Sequence, residues 1–269
     1  MASTYILIDT TLIGYPADKP WTRKRRKLSW VAVLYEREAI AVSPILIDIE
    51  RALVCDRLDV VMDLVNAQRP QLGVSFIETD LSLAELHSHL REFIYVKTEN
   101  GIELTLRFAD CAVLPSLFVT MTAEQWSSIV GPFKRWQIHG RDGKLMSLSV
   151  SKKDAEYRHP LILRNDQIAA LENAMRTDQL LSNLRKMRPG RPSEYLSLTA
   201  YEQANHALQK WLSAGHKEDT DLLLFARDVF DTDGLLLKHV ALDEVLAQQD
   251  PAQRRKQLHR IAMPHLSGS

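Results

Sequence analysis

Between Leu81 and Trp136 the chain carries local folding signals in unbroken succession, and any fold it adopts has to accommodate them all. Ser82-Leu83-Ala84-Glu85 is a capping box, in which the serine hydroxyl takes an orphan backbone N–H and the glutamate reaches back to the cap. Leu83, Leu86, Leu90 and Phe93 follow at helical spacing, so the predicted helix buries one stripe and leaves Glu85, Ser88 and Arg91 to water. The period then changes. Phe93 to Lys97 reads as a strand, and Asn100-Gly101 supplies the two positive-φ residues of a type I′ turn. Ile102, Leu104, Leu106 and Phe108 alternate with Glu103, Thr105 and Arg107, which predicts a hairpin with one apolar face. Pro115 fits the first turn of a helix through Leu117 and Phe118. Thr122-Ala123-Glu124-Gln125 is a second capping box, and Gly131-Pro132 stops the helix it opens.

Several of these residues resemble a known family. His89-Leu90-Arg91-Glu92-Phe93, Leu106-Arg107-Phe108-Ala109-Asp110, Val113-Leu114 and Val130-Gly131-Pro132-Phe133 before Trp136 look like the core signature of the bacterial type VI secretion effector chaperones, also called adaptor or Tap/Tec proteins. Tyr5-Ile6-Leu7-Ile8-Asp9 resembles the family's opening strand with its aspartate. Leu34-Tyr35-Glu36 and Ser43-Pro44-Ile45-Leu46-Ile47 resemble the segment before its first long helix, and Leu72-Gly73-Val74-Ser75-Phe76 the strand before the capped helix. The resemblance spans most of residues 4 to 140. It departs at Leu72-Gly73, where the family commonly has Trp-Gly, and at Ala109 and Cys111, where Tyr and Pro are usual.

Lys plus Arg and Asp plus Glu number 34 each in 269 residues. A net charge near zero argues against a dedicated nucleic-acid binder, which carries a basic excess. The hydrophobic fraction of 45% and charged fraction of 25% are those of an ordinary globular protein with a sizeable core. No apolar run approaches a membrane span, and the amino terminus lacks a basic region followed by an apolar one, so a cytoplasmic protein is expected. Cys55 and Cys111 lie on segments that read as helical, where reduced, buried thiols are expected, although a disulfide between them stays open.

Strands are predicted at Tyr5 to Asp9, Trp30 to Tyr35, Pro44 to Ile49 and Val74 to Ile77, with one helix carrying Ala52, Leu53, Val60, Val61, Leu64 and Val65 before the last of these. Trp136 to His139 and Leu145 to Val150 form a second hairpin through Gly140-Arg141-Asp142-Gly143. Together with the central hairpin this predicts a mixed sheet flanked by helices. After about Tyr157 only helical patterns remain. Asn165 caps a helix through Leu184, Pro189-Gly190-Arg191-Pro192 breaks the chain, and Thr199-Ala200-Tyr201-Glu202 is a third capping box. Gly215 ends the helix it opens, and further helices fit Asp221 to Phe230, Leu235 to Ala247 and Pro251 to Ile261. The expected fold is α+β: an amino-terminal mixed-sheet α/β lobe over 1–152, followed by an all-helical carboxy-terminal lobe over 153–269.

Motifs for chemistry are scarce. Gly143-Lys144 lacks the rest of a phosphate loop, and no dinucleotide fingerprint or Gly-x-Ser-x-Gly elbow occurs. Asp231-Thr232-Asp233-Gly234 fails as a calcium loop, because its end positions fall on Val229 and Val240. It reads as an interhelical turn. His87 and His89 are two apart on a helix and point in different directions, so no metal site and no cofactor are expected. The basic run Arg23-Lys24-Arg25-Arg26-Lys27, bracketed by Trp21 and Trp30, is either a solvated loop, a phosphate-binding element, or a surface that recognises an acidic protein partner. Arg107 and Asp110 are either a cap and ion pair needed for folding or contacts to a bound polypeptide in a cleft between the lobes. Trp21, Arg25, Arg26, Arg107 and Asp110 are therefore the candidate partner-binding residues.

The resemblance implies a chaperone that is not itself an enzyme and is not secreted. Such a protein holds a toxic effector, often through an apolar segment, and helps load it onto the VgrG spike or a PAAR tip. It would neither bind nucleic acid nor insert into a membrane. The alternatives are an enzyme with an inter-lobe site for a phosphorylated ligand, and a nucleic-acid module built on Arg23 to Lys27.

Overall fold

The computed structural model describes residues 2–12, 28–35, 39, 42–67, 69–150, 160–187, 197–217 and 220–266. The basic run Arg23–Lys27 with Trp21, Arg25 and Arg26, and the break at Pro189–Pro192, lie outside the described residues. The chain divides into two compact units, Met1–Ala174 and Met175–Ser269. That division falls inside a long helix rather than at 152/153.

In the first unit, β1 (Ser3–Ile8) lies inside a six-stranded sheet with β2 (Val31–Val33), β3 (Ile45–Asp48), β4 (Val74–Thr79), β7 (Phe133–His139) and β8 (Leu145–Leu148), in the order β2-β3-β1-β4-β7-β8. Every pairing in it is antiparallel. The continuous apolar runs of β1 and β3 predict burial on both faces, and Ile6, Leu7, Ile8, Ile45, Leu46 and Ile47 are all buried. Each such side chain contributes roughly 1.5–3 kcal/mol. Register puts Ile6, Ile8, Ile45, Ile47 and Val74 on one face, where Ala52 of α1 (Ile49–Val54) and Val61, Leu64 and Val65 of α2 (Leu58–Val65) close a core. Leu7, Leu46, Ile77 and Trp136 take the other face. There α3 (Leu83–Arg91) packs on β2 and β3, and Trp126 of α5 (Ala123–Val130) stacks on Trp136 at 6.0 Å.

Two of the three expected capping boxes form. Ser82 Oγ accepts from Glu85 N, and Thr122 Oγ1 from Gln125 N, while the Glu85 and Gln125 side chains return to the cap amides. Pro115 sits in the first turn of α4 (Leu114–Thr120). Four expectations change. The single helix through residues 52 to 65 is two helices, because Asp56 adopts φ 54° and its amide and that of Arg57 close on Leu53 and Ala52 carbonyls in a Schellman arrangement. Cys55 lies at this break and is exposed rather than buried, and both thiols are free. The central hairpin, β5 (Tyr95–Thr98) and β6 (Glu103–Thr105), does not join the main sheet. It forms a three-stranded sheet with β9 (Ile162–Leu163), which runs parallel to β5. Its turn is not type I′ either. Only Gly101 has positive φ, Gly101 N donates to Thr98 O and Thr98 N to Ile102 O, which is a type I turn closed by a glycine bulge.

The helix α6 (Asn165–Met187) begins in the first unit and ends in the second. The second unit continues with α7 (Leu198–Ser213), α8 (Thr220–Asp231), a 3-10 turn over Leu235–Lys238, α9 (Leu242–Leu246) and α10 (Pro251–Leu266). Thr199 does not cap α7. Ser197, two residues earlier, takes the Ala200 amide, so Thr199 falls inside the first turn. The helix expected over Leu235 to Ala247 is the 3-10 turn followed by short α9. Gly215, at φ 84°, ends α7 as expected, with its amide on Leu212 and that of His216 on Trp211. Trp211 is fully buried, 5.9 Å from Phe225 and 5.0 Å from the guanidinium of Arg254. No described helix is long and apolar enough to cross a membrane.

Candidate partner-binding site

Asp9 directly follows β1, and its backbone amide is held by Gly73 O at 2.8 Å. Its carboxylate turns back on the chain, accepting from Thr11 N at 2.9 Å and from Thr11 Oγ1 at 2.6 Å. Thr10 Oγ1 donates to Ser43 O, while the buried Ser43 hydroxyl accepts from Tyr35 N at 2.7 Å. One serine thus ties together the segments after β1 and β2.

Arg107 reaches this point from the far side of the sequence. The pairing of β6 with β5 ends with Leu106 N donating to Ile94 O, and Phe108 N then bonds to Leu106 O, so the chain turns sharply at Arg107. Asp110 follows, its Oδ1 accepting from Ala112 N and its carbonyl from Val113 N and Leu114 N. It shapes the turn leading into α4 rather than acting as that helix's cap, a position held by Val113.

The arginine Nη2 lies 3.0 Å from Asp110 Oδ2 and 3.5 Å from Asp9 Oδ2. The carboxylates are nearly inaccessible, at 7% for Asp9 and 9% for Asp110, whereas the arginine side chain is 47% exposed. One guanidinium nitrogen therefore neutralises two buried acids. Nε and Nη1 have no partner among the described residues, and they remain donors for a carboxylate or carbonyl brought by another molecule. Tyr35 completes the surroundings, its phenol raised above the ordinary range first by burial and then by Asp9, with Arg107 opposing.

Beside this cluster Cys111 is buried, its thiol donating to Val74 O at 3.2 Å. Burial pushes it up to about 12, far from a reactive thiolate. The neighbouring phenol and thiol are thus both held protonated. His87 and His89 point apart, to Val33 O at 2.9 Å and Ile129 O at 2.7 Å. Among the described residues no group of three His, Cys, Asp or Glu is placed to hold a metal ion.

Residues 4–128 match the family model described as a domain of unknown function, DUF4123. Asp9, Arg107 and Asp110 all fall within that match, which covers the span carrying the strongest resemblance up to α5. Residues 129–269, including the whole helical unit, lie beyond it. No curated protein and no solved structure matches the chain.

Of the residues singled out in the sequence, the structure brings Arg107 and Asp110 together as an ion pair. Trp21, Arg25 and Arg26 lie outside the described residues. Asp9, Tyr35 and Ser43 were not singled out as site residues. Asp9 was visible as the end of a strand, but nothing local relates it to an arginine 98 positions away.

Proposed function

We propose that this protein is a chaperone, or adaptor, for a type VI secretion effector. It binds and stabilises the toxin before firing, helps load it onto a VgrG or PAAR spike protein, and stays in the cytoplasm. It acts through surface complementarity without catalysis. The observation that carries this reading is the match of residues 4–128 to DUF4123, a family associated with type VI effector adaptors. Arg107 supports it as a half-exposed cation with spare donors on a rigid base, the arrangement a protein partner's carboxylates or carbonyls recognise.

The test is coexpression with the toxin encoded beside the gene. Deleting this protein should lower the soluble toxin and its delivery in a contact-dependent killing assay, and the two proteins should copurify. Unchanged toxin solubility, binding and delivery in the deletion strain would sink the proposal.

A further inference from the structure

The family match ends at residue 128, yet the small sheet inside it takes its third strand from further along the chain. Only the hairpin of β5 and β6 lies within the match. A two-stranded hairpin alone is marginal in water, and an uncovered strand edge is a template for pairing with other chains. The outer edge of β5 is closed by β9, with Lys97 opposite Ile162 and Thr98 opposite Leu163, and with Lys97 N donating to Leu161 O at 2.8 Å. Leu161 and Leu163 are both buried. Asn165, the first residue of α6, then gives its amide to Glu99 Oε2, between the strands of the hairpin, at 3.0 Å.

Two glutamines hold this segment in place. Gln125 of α5 and Gln167 of α6 are 5% and 2% exposed and bond each other in both directions. Gln167 Nε2 donates to Gln125 Oε1 at 2.7 Å, and Gln125 Nε2 to Gln167 Oε1 at 3.3 Å. The remaining capacity goes to the backbone. Gln125 Nε2 also donates to Ile162 O at 2.7 Å, and Gln167 Nε2 to Thr120 O at 2.9 Å. Thr122 N donates to Gln125 Oε1, and Arg164 N to Gln167 Oε1.

A primary amide has two N–H donors and two acceptor positions, and both glutamines have all of theirs filled. Such a network is exacting. A slip of residues 160–167 along β5 would leave several of these groups buried without partners, whereas apolar packing alone is less particular.

We infer that residues 160–167 form a strap, latched by the Gln125–Gln167 pair, that covers the β5 edge and is released as one unit when the latch is broken. The family-matched domain is thereby completed by residues beyond the match. None of this depends on the secretion role.

The test is hydrogen exchange read by mass spectrometry on the full chain, comparing the wild type with Gln167→Met, Glu99→Ala and Ser82→Ala. Ser82→Ala is the control for a loss of stability at a cap that makes no bond to the strap. Gln167→Met should speed exchange about tenfold or more at Lys97 and through 161–167, and leave β1 and β4 as slow as before. Glu99→Ala, at an exposed position, should speed the same amides about threefold. Ser82→Ala should leave the strap as slow as in the wild type.

Unchanged exchange at Lys97 and 161–167 in Gln167→Met would overturn the inference. So would an equal rise in β1 and β4, because the loosening would then be global. Faster exchange in 161–167 with Lys97 still slow would overturn it too, since the strap would not then be what covers that edge. Should Gln167→Met fail to fold, Glu99→Ala decides by the same criteria.

Discussion

Replacing Arg107 with methionine removes a cation that pairs with two buried carboxylates and keeps much of the side chain's aliphatic bulk. Stripping the partner from a fully buried ion pair costs about 3–5 kcal/mol, and an exposed pair is worth about 0.2–1 kcal/mol. Here Asp9 and Asp110 are 7% and 9% accessible while the arginine is 47% exposed, so water supplies part of the lost stabilisation. Asp9 also keeps its bonds from Thr11, and Asp110 its bond from Ala112. These offsets put the cost at about 1–2 kcal/mol, or roughly 2–8 °C in melting temperature for a chain of this size. The measurement is thermal and urea unfolding of Arg107→Met, made both alone and in an Asp9→Asn/Asp110→Asn background. In that background no buried charge is orphaned, and the same substitution should cost less than about 0.5 kcal/mol. Equal losses in the two backgrounds, or no loss in either, would refute the argument that the arginine's first duty is to neutralise Asp9 and Asp110. The triple variant then isolates recognition: if Arg107 also contacts the effector, binding stays weak although stability has returned.

Other consequences follow from local geometry. Ser82→Ala and Thr122→Ala should each cost about 1 kcal/mol in urea unfolding. The exposed Glu85 carboxyl is lowered by its bonds to Ser82, so its share of the α3 cap is present above the ordinary carboxylate range and fades as pH falls into the acid range. A Ser82→Ala cost that does not shrink in acid would contradict that link. Iodoacetamide at pH 8 should alkylate exposed Cys55 and spare Cys111 in the folded protein, as read by intact mass. Because burial raises the Cys111 thiol from 9.0 to about 12, its contribution to stability is full below pH 9 and declines as pH rises toward 12. The stability difference between wild type and Cys111→Ala should therefore narrow by about 1.4 kcal/mol between pH 8 and pH 10, and an unchanged difference would count against the buried thiol. In the helical unit, Arg254 is buried, donates to Gln248 O at 2.7 Å and lies 3.5 Å from Asp221. Arg255 Nε also holds Asp221, at 2.6 Å, so Arg254→Met should destabilise by about 2–3 kcal/mol rather than the full cost of an orphaned charge. A melt unchanged from wild type would show that Arg255 alone suffices.

Features readable from the sequence were those in which cause and effect lie within one turn of chain. Ser82 and Thr122 cap because the amides they bond are three residues away, Pro115 takes the first turn of α4 because its nitrogen has no hydrogen to donate, and Gly215 stops α7 because it tolerates a left-handed φ. Where the same geometry is made by a less telling residue, the signal fails. Asp56 ends α1 in the conformation glycine usually adopts, so the break between α1 and α2 carried no glycine to announce it. Thr199 was read as the cap of α7, but the backbone is extended at Ser197, which takes the Ala200 amide, and Thr199 falls inside the helix.

The chain by itself determined an α+β protein with a helical carboxy-terminal region, the positions of most helices and strands, and the ends of several of them. These depend on side-chain period and on hydrogen bonds between near neighbours. Tertiary structure decided that the central hairpin leaves the main sheet to pair with β9, that Cys55 is exposed, and that Asp9 meets Arg107. It also decided that Gln125 and Gln167, 42 positions apart in the sequence, exchange hydrogen bonds in a buried pair. The reason is physical: an alternating or helical pattern says which face of an element is buried, but which element covers that face depends on chain reversals whose partners lie tens of residues away.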